Sequence, residues 1–294
     1  MATTETTAPD LATAEQTRAT TRRGRNVVEC WLDRYLLIIY TVLAVIYLML
    51  PVALIILFSF NNPAGKSNTV WQGFTLKYWL NPLGVDGLPQ AIGLSLVIAV
   101  VSTVVATALG TLIALALVRY NFRGRRFTNS LIFLPMATPE IILGASLLTL
   151  FVSIGNDPFF PLSGFTILIA HIMFNISFVV VTVRARLAGF PRHLEEAAMD
   201  LYANEFTTFW KVTFPLILPG IIAAGLLAFS LSIDDFVVTN FTAGKAQTFP
   251  MFIYAKNRIG VPVQVNVIGT IIFVVAVGFV ALTTIQGRRR QRAR

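Results

Sequence analysis

Long runs of apolar residues constrain this chain more than any other feature of its sequence. A helix that crosses the hydrocarbon core of a membrane needs about 20 largely apolar residues, because each residue adds about 1.5 Å of length. Six runs meet that requirement, at residues 35–60, 91–118, 129–153, 164–187, 215–238 and 266–286. They predict an all-α integral membrane protein with six transmembrane helices.

The composition agrees with a membrane protein and argues against other classes. Of the 294 residues 55% are hydrophobic and 13% are charged, whereas soluble domains carry about 25% charged residues. Intrinsic disorder requires low hydrophobicity, which this chain lacks. The net charge of +9 would suit a nucleic-acid-binding protein, but the basic residues lie between apolar runs, as membrane topology requires. We therefore expect the lipid bilayer, and no nucleic acid, as a partner.

The distribution of Lys and Arg predicts the orientation of the spans. Of these 23 residues, 18 lie in the two tails and in the connections between spans two and three and spans four and five, and five lie on the other side. Basic loops stay in the cytoplasm, so both termini are expected there. The external connections carry those five basic residues against Asp86 and Asp157, a face that does not attract polycations. An uncharged or anionic substrate is compatible with that balance.

The chain divides into four predicted regions. Residues 1–34 are expected to form a disordered cytosolic tail, because their first 24 positions are rich in Thr and Ala and have no apolar period. Residues 35–60 form the first transmembrane helix and residues 90–286 a core of five helices. Residues 287–294 are a basic cytosolic tail.

Motifs for enzymatic or metal chemistry are incomplete. Residues 64–67 resemble the end of a phosphate-binding loop, but Phe60 stands where that loop needs glycine. Cys30 is the single cysteine, and His171 and His193 lack companions at ligand spacing. We expect no metal, no cofactor and no catalytic residues, and we interpret His171 as a histidine whose hydrogen bonds are satisfied inside the bundle.

The connection between spans four and five contains an amphipathic segment with an acidic start. A short helix is expected over about residues 194–205, and Glu195 and Glu196 suit the positive end of its dipole. This helix either only joins two spans or presents a docking surface to a cytosolic partner.

The same connection resembles the EAA signature of the membrane subunits of bacterial ABC importers. That signature reads Glu-Ala-Ala, three residues, Gly, nine residues and Ile-x-Leu-Pro. Here residues 196–198 supply Glu-Ala-Ala and residues 212–215 read Val-Thr-Phe-Pro at matching spacing, but Tyr202 replaces the glycine. Because tyrosine is less willing than glycine to adopt positive φ, we expect the local backbone or the partner groove to differ here.

Residues 134–150 and 228–244 are similar to the membrane subunits of spermidine/putrescine importers. The resemblance implies a type I importer permease in the bacterial plasma membrane, working with cytosolic ABC ATPase subunits, a second and different permease, and an extracytoplasmic substrate-binding protein. ATP would be hydrolysed by the separate ATPase. The implied ATPase-docking residues are Glu195, Glu196, Ala197, Ala198, Asp200, Leu201, Tyr202 and Phe206.

Charged residues within spans are costly, about 2.5–3.5 kcal/mol or more at the bilayer centre, so each needs a reason. Glu140 lies about 11 residues into the third span, and Asp234 and Asp235 lie towards the outer end of the fifth. Polyamines combine amines with methylenes, which suit carboxylates beside aromatic faces such as Phe229 and Phe236. These five residues are predicted to line the substrate pathway. Alternatively, the carboxylates are structural: Glu140 bonds a neighbouring helix, and the aspartates cap the span and bind the partner subunit.

The sequence is also compatible with three other functions. They are an ABC importer permease for another small solute, an ion-coupled secondary carrier or channel, and a membrane scaffold without transport activity. Inverted repeats would favour a carrier, and the sequence contains no convincing internal repeat. The matched cytoplasmic signature favours the importer, with polyamines as its substrate.

Overall fold

A computed structural model describes residues 27–65, 67–154, 162–189, 191 and 193–292. The described part is helical except for loops and one isolated antiparallel bridge between Asn61 and Phe74. Most of the tail predicted over residues 1–34 therefore lies outside the described residues. The helices are α1 (Val27–Phe58), α2 (Lys77–Leu80), α3 (Leu88–Arg119), α4 (Arg125–Ala137), α5 (Glu140–Ile154), α6 (Gly164–Ala188), α7 (His193–Asp200), α8 (Glu205–Thr208), α9 (Phe214–Asp234), α10 (Val237–Thr242), α11 (Phe249–Asn257) and α12 (Val263–Arg292).

Four helical stretches among the described residues are long and apolar enough to cross a membrane. They are Tyr35–Phe58, Leu88–Arg119, Gly164–Ala188 and Glu205–Asp234, and a fifth appears if α4 and α5 together count as one broken span. In α12 the described apolar part, Val263–Gly278, is shorter. The all-helical membrane class is confirmed, whereas the predicted count of six spans is not reproduced by length and composition.

The third predicted span is not one helix. Residues 129–153 were expected to cross as a unit, but α4 and α5 meet at an angle of 109°. Thr138 between them is extended, with φ −81° and ψ 130°. Proline disfavours helical geometry in the residue before it and lacks an N–H for the helical ladder. Pro139 therefore breaks the span, while Pro135 lies within α4 without ending it.

The described residues form two compact units, one drawn from residues 1–60 and 266–294 and the other from residues 61–265. In the first unit the apolar side chains of α1 are largely exposed, and Leu36 and Leu37 are each 67% accessible. Such a surface is suited to lipid or to another membrane helix.

The core of the second unit is built from α3, α6 and α9, which all pack on one another. Ala114, Val179, Val183 and Ala228 are completely buried where these helices meet. Gly110 allows α3 and α6 to approach closely, since a Cβ atom there would lie 2.6 Å from Cγ1 of Val179. Small and β-branched side chains therefore make close contact where the three long helices meet.

Two short helices complete the second unit around the end of α9. The fifth predicted span, 215–238, ends instead at Asp234, and α10 follows after Asp235 and Phe236. Helix α10 packs on α5 and α6, and α11 packs on α3. This break is therefore followed directly by α10, which contacts α5 and α6.

Candidate functional site

The docking segment, defined here as residues 193–214, forms α7, a tight turn, α8 and a π-helical turn at Phe209–Thr213 that leads into α9. Two hydrogen bonds close the end of α7, from the N–H of Ala203 to the carbonyl of Ala198 at 3.1 Å and from the N–H of Tyr202 to the carbonyl of Met199 at 2.9 Å. This pair is the Schellman arrangement, whose critical residue adopts a left-handed conformation. Asn204 then caps α8 by accepting a bond from the N–H of Thr207 at 2.8 Å.

Tyr202 occupies that left-handed position. Its φ is +62°, the one positive value among the described residues other than glycine. Of the two expectations for this position, a different backbone or a different partner groove, the structure bears on the first: the turn has the geometry that glycine adopts easily, and tyrosine adopts it at a steric cost. A different partner groove stays a prediction. The two hydrogen bonds that close the turn hold residue 202 in this left-handed conformation. The phenol ring is fully exposed.

Glu195 attaches α7 to the helical core. Its carboxylate accepts hydrogen bonds from the guanidinium of Arg119, the last residue of α3, and from the hydroxyl of Thr213. Arg119 also donates to the Thr213 hydroxyl at 3.3 Å. The Glu195 side chain is only 17% exposed. This residue therefore joins α7 to the end of α3 and to the π-helical turn that precedes α9, and it contributes little to the outer surface of the docking segment.

The remaining predicted docking residues divide by exposure. Ala198 is half-buried on the inner side of α7. The exposed set is Glu196, Ala197, Asp200, Leu201, Tyr202 and Phe206. Leu201 and Phe206 are 82% and 72% accessible. An acidic rim around exposed apolar side chains is the surface expected of a protein contact.

A buried polar cluster lies at the break between α9 and α10. It consists of Ser102 on α3, His171 on α6, Ser232 on α9, and Asp235 and Thr239 at the start of α10. His171 Nδ1 lies 2.6 Å from Ser232 Oγ, and its Nε2 lies 2.9 Å from Thr239 Oγ1. Ser232 Oγ is 3.0 Å from Ser102 Oγ. The geometry agrees with the interpretation of His171 as a satisfied bundle histidine, which is 4% exposed.

The two adjacent aspartates have different surroundings. Asp235 accepts hydrogen bonds from the N–H of Thr239 at 2.8 Å and from its hydroxyl at 2.7 Å, and it lies 3.4 Å from His171 Nε2. A carboxylate in this position caps the exposed N–H groups that begin a helix. Asp234 is exposed at the last position of α9. Of the pair, Asp234 is therefore the carboxylate available to a ligand.

The other predicted pathway residues are separate from this cluster. Glu140 is exposed at the first position of α5 and makes no side-chain hydrogen bond or ion pair with a described residue. The depth that a straight third span gave it does not apply, because the chain bends there. Phe236 packs on Tyr254 with ring centroids 4.6 Å apart, and Phe229 is half-buried.

Sequence reasoning missed Arg119 and Thr213 as anchors of the docking segment and Ser102, Ser232 and Thr239 as partners of His171. Serines inside long apolar runs were a usable signal, since a buried hydroxyl needs a hydrogen-bond partner. No sequence signal joins Arg119 to Glu195, which lies 76 positions away.

The chain is similar to known membrane subunits of transport systems over most of its length. Residues 106–292 match the family model described as binding-protein-dependent transport system inner membrane component. The chain is 39% identical to the spermidine/putrescine transport system permease protein PotC of Escherichia coli over 84% of its own length and 91% of that protein's. It is 37% identical to the putrescine transport system permease protein PotI of the same organism, over 87% and 93% of the two chains.

Solved structures support the fold. A chain of a bacterial ABC transporter involved in the import of the acidic polysaccharide alginate matches with a TM-score of 0.60 and 20% identity, over 86% of this chain and 96% of that one. A chain of the MetNI methionine ABC transporter matches with a TM-score of 0.52 and 19% identity, over 70% and 95%. At such low identities the likeness concerns the fold alone.

Proposed function

The chain belongs to the family of binding-protein-dependent transport system inner membrane components, and from that premise we propose that it is a permease subunit of an ATP-driven importer of spermidine or putrescine. The observation that carries the substrate class is the 39% identity, across 84% of the chain, to a spermidine/putrescine permease. The chain is a multi-pass inner-membrane transport subunit and not an enzyme, since ATP hydrolysis in such systems belongs to a separate subunit.

Both termini are proposed to lie in the cytoplasm, on the side of the 18 basic residues. Importer permeases work with an ATPase, another permease and a binding protein. For this chain we propose that the ATPase binds the docking segment and that a second permease forms a heterodimer with it. An external binding protein would capture the polyamine. Capture by a separate protein is consistent with the basic balance of the external connections.

Motion is proposed to pass from the ATPase to the spans through α7. The exposed face around Ala197 meets the ATPase, while Glu195 transmits displacement to Arg119 on α3 and to Thr213 before α9. Because α3 and α9 pack on each other in the core, a shift of α7 displaces two spans together.

Asp234 is proposed to meet an amine of the substrate. The carbonyl end of α9 carries partial negative charge that adds to the carboxylate, so this position favours a cation. Phe229, Phe236 and Glu140 are proposed as further lining of the path, with Asp235 holding the local backbone. The sequence predicted that both aspartates line the substrate pathway. In this proposal only Asp234 meets the substrate, and Asp235 has a structural role.

The docking role is tested by Ala197→Arg, which places a long cation where a small exposed side chain stands. The complex is purified, and ATP hydrolysis and spermidine uptake are measured in vesicles. Ala255→Arg, at an exposed position of α11, serves as the matched control. We expect Ala197→Arg to insert normally and to lose coupled uptake, and Ala255→Arg to retain both. Full assembly and full uptake by the first variant would remove the docking role.

A further inference from the structure

A basic cavity lies where α3 ends, α4 begins and α6 approaches its last turn. Its volume is about 600 Å³, within the range of about 300–1,000 Å³ typical of ligand sites. Arg125 and Arg126 line it from α4, Arg184 from α6 and Leu117 from α3. No carboxylate is among its lining residues. The cavity is therefore suited to an anion.

The arginines in this cavity retain donors for a ligand. Arg125 donates to the side-chain oxygen of Asn121, and Arg184 to that of Asn129. A guanidinium has five N–H donors, so each of these two keeps several. Arg126 is exposed and makes no side-chain hydrogen bond or ion pair with a described residue. The first turn of α4 begins at Gly124 without a side-chain cap, which adds partial positive charge at the same place.

A second cavity lies deeper along α3, α4 and α6 and is also lined by α5; it adjoins the first at Thr128 and Asn129, which are neighbours on α4. It measures about 550 Å³ and is lined mainly by apolar side chains, including Leu131, Leu134 and Met173, with no charged residue in its lining. On α3 the lining moves from Leu117 to Ile113, and on α6 from Arg184 to Ser177. These steps of four and seven residues correspond to about 6 and 10 Å along a helix.

We propose that the two cavities together bind one anionic phospholipid, with its phosphate among the arginines and an acyl chain in the apolar cavity. A charged site followed at membrane depth by an apolar one matches an amphiphile, whereas free phosphate would use only the first. Phe127, Leu131 and Leu134, at helical spacing on α4, are 72%, 52% and 60% exposed and continue the apolar surface outward. Basic pockets between spans on the cytoplasmic side are where anionic headgroups bind.

This site is distinct from the docking segment and from Asp234, since neither lines either cavity, although Thr138 and Leu143 of the apolar cavity lie close in sequence to Glu140. Its function would be to hold the bent α4–α5 pair against α6. The lipid would lie in the same leaflet as the basic connections, where anionic headgroups and arginines attract each other over about a Debye length of 8–10 Å.

The test uses the full purified transporter complex, exchanged into a neutral detergent and titrated with phosphatidylglycerol or phosphatidylcholine. Bound lipid is counted by native mass spectrometry. The variant Arg126→Gln/Arg184→Gln removes two charges, and Ser146→Trp fills the apolar cavity without changing charge. Arg123→Gln, an exposed arginine of the same connection outside the cavity lining, is the matched control.

We expect the wild type and Arg123→Gln to retain phosphatidylglycerol in preference to phosphatidylcholine, and the double variant to bind it roughly tenfold or more weakly, since each arginine near a charged membrane surface contributes about 1 kcal/mol. Ser146→Trp should also lose the lipid, because the acyl chain has no room. Equal retention of the two lipids by the wild type, or unchanged retention by the variants, would overturn the proposal. Displacement of the lipid by inorganic phosphate, or its exclusion by the bound ATPase, would equally overturn it in favour of a free-anion site or a protein contact.

Discussion

Tyr202 illustrates how a hydrogen-bond pattern can override the preference of a single residue. The turn after α7 is closed by the N–H groups of Tyr202 and Ala203, and this closure requires a left-handed residue at position 202. A side chain with a Cβ loses about 1–2 kcal/mol in that conformation. The strain lies in the segment proposed to meet the ATPase, and the exposed ring adds contact area there.

Replacing this tyrosine by glycine should therefore stabilise the free permease. We expect Tyr202→Gly to raise the free energy of unfolding by about 0.5–1 kcal/mol, the strain relieved less the entropy that glycine loses on folding. Tyr202→Ala is the matched control, because it removes the ring and keeps the strain. Thermal unfolding of the detergent-purified protein measures both, and equal stability of the two variants would show that φ carries no strain.

The adjacent aspartates should separate in a stability measurement. Asp235→Ala removes the cap of α10 and a partner of His171, so we expect a loss of about 0.5–2 kcal/mol. Asp234→Ala should leave stability nearly unchanged, since that side chain is exposed. The two unfolding curves are compared under identical detergent conditions.

Uptake should show the opposite order. Asp234→Asn keeps size and removes the charge proposed to meet an amine, so spermidine uptake should fall at least about tenfold, or about 1.4 kcal/mol, with normal protein level and normal assembly. Unchanged uptake would assign Asp234 to structure, and loss of assembly would point to the contact with the second permease.

At the scale of helices, prolines and glycines decide where spans bend and where they touch. The sequence locates apolar helices well, because the thickness of the membrane sets the number of apolar residues that a spanning helix needs. The sequence does not reveal that Pro139 breaks a span while Pro135 does not. Whether a proline breaks a helix depends on which neighbouring helices pack against the bent chain. Likewise, Gly110 and Gly93 occupy the same helix, α3, and only the structure distinguishes them.

Those two glycines provide a matched pair. A Cβ atom at Gly110 would lie 2.6 Å from Val179, whereas one at Gly93 meets nothing within 4 Å. We expect Gly110→Ala to destabilise the protein by about 1–3 kcal/mol through overpacking. Gly93→Ala should be neutral or stabilising by up to about 1 kcal/mol, as alanine favours the helix. Thermal unfolding distinguishes them, and similar values for both would contradict the close packing of α3 and α6.

The Arg119–Glu195 contact should control the mobility of α7. Glu195→Gln removes the charge of a largely covered pair, so hydrogen exchange in α7 should quicken about fivefold, equivalent to about 1 kcal/mol. The swap Arg119→Glu/Glu195→Arg should recover part of the protection. Glu205→Gln, an exposed glutamate at the start of α8, is the control. Exchange that is equally fast in the swap and the single variant would show that the pair does not anchor the helix.

For the whole molecule, the family and the helical class follow from the sequence, whereas the side-chain contacts of the candidate site do not. The spacing around Glu196 predicts the docking segment, but its inner and outer faces depend on the partners of Glu195, one of which, Arg119, lies 76 positions away. In the same way, the pair Asp234–Asp235 is visible in the sequence, whereas the difference in exposure and hydrogen bonding between them arises from where α10 begins. These differences between side chains depend on hydrogen bonds between distant residues, which the periodicity of the sequence does not predict.

Spermidine uptake by the complete complex in sealed vesicles tests the central claim most directly. Labelled spermidine and the binding protein are supplied outside and ATP inside, and uptake is compared without ATP and with an ionophore that collapses ion gradients. An ATP-driven importer predicts accumulation that requires ATP hydrolysis and survives the ionophore. Accumulation that proceeds without ATP and ceases with the ionophore, or ATP-dependent uptake of another solute but not of spermidine or putrescine, would contradict the account.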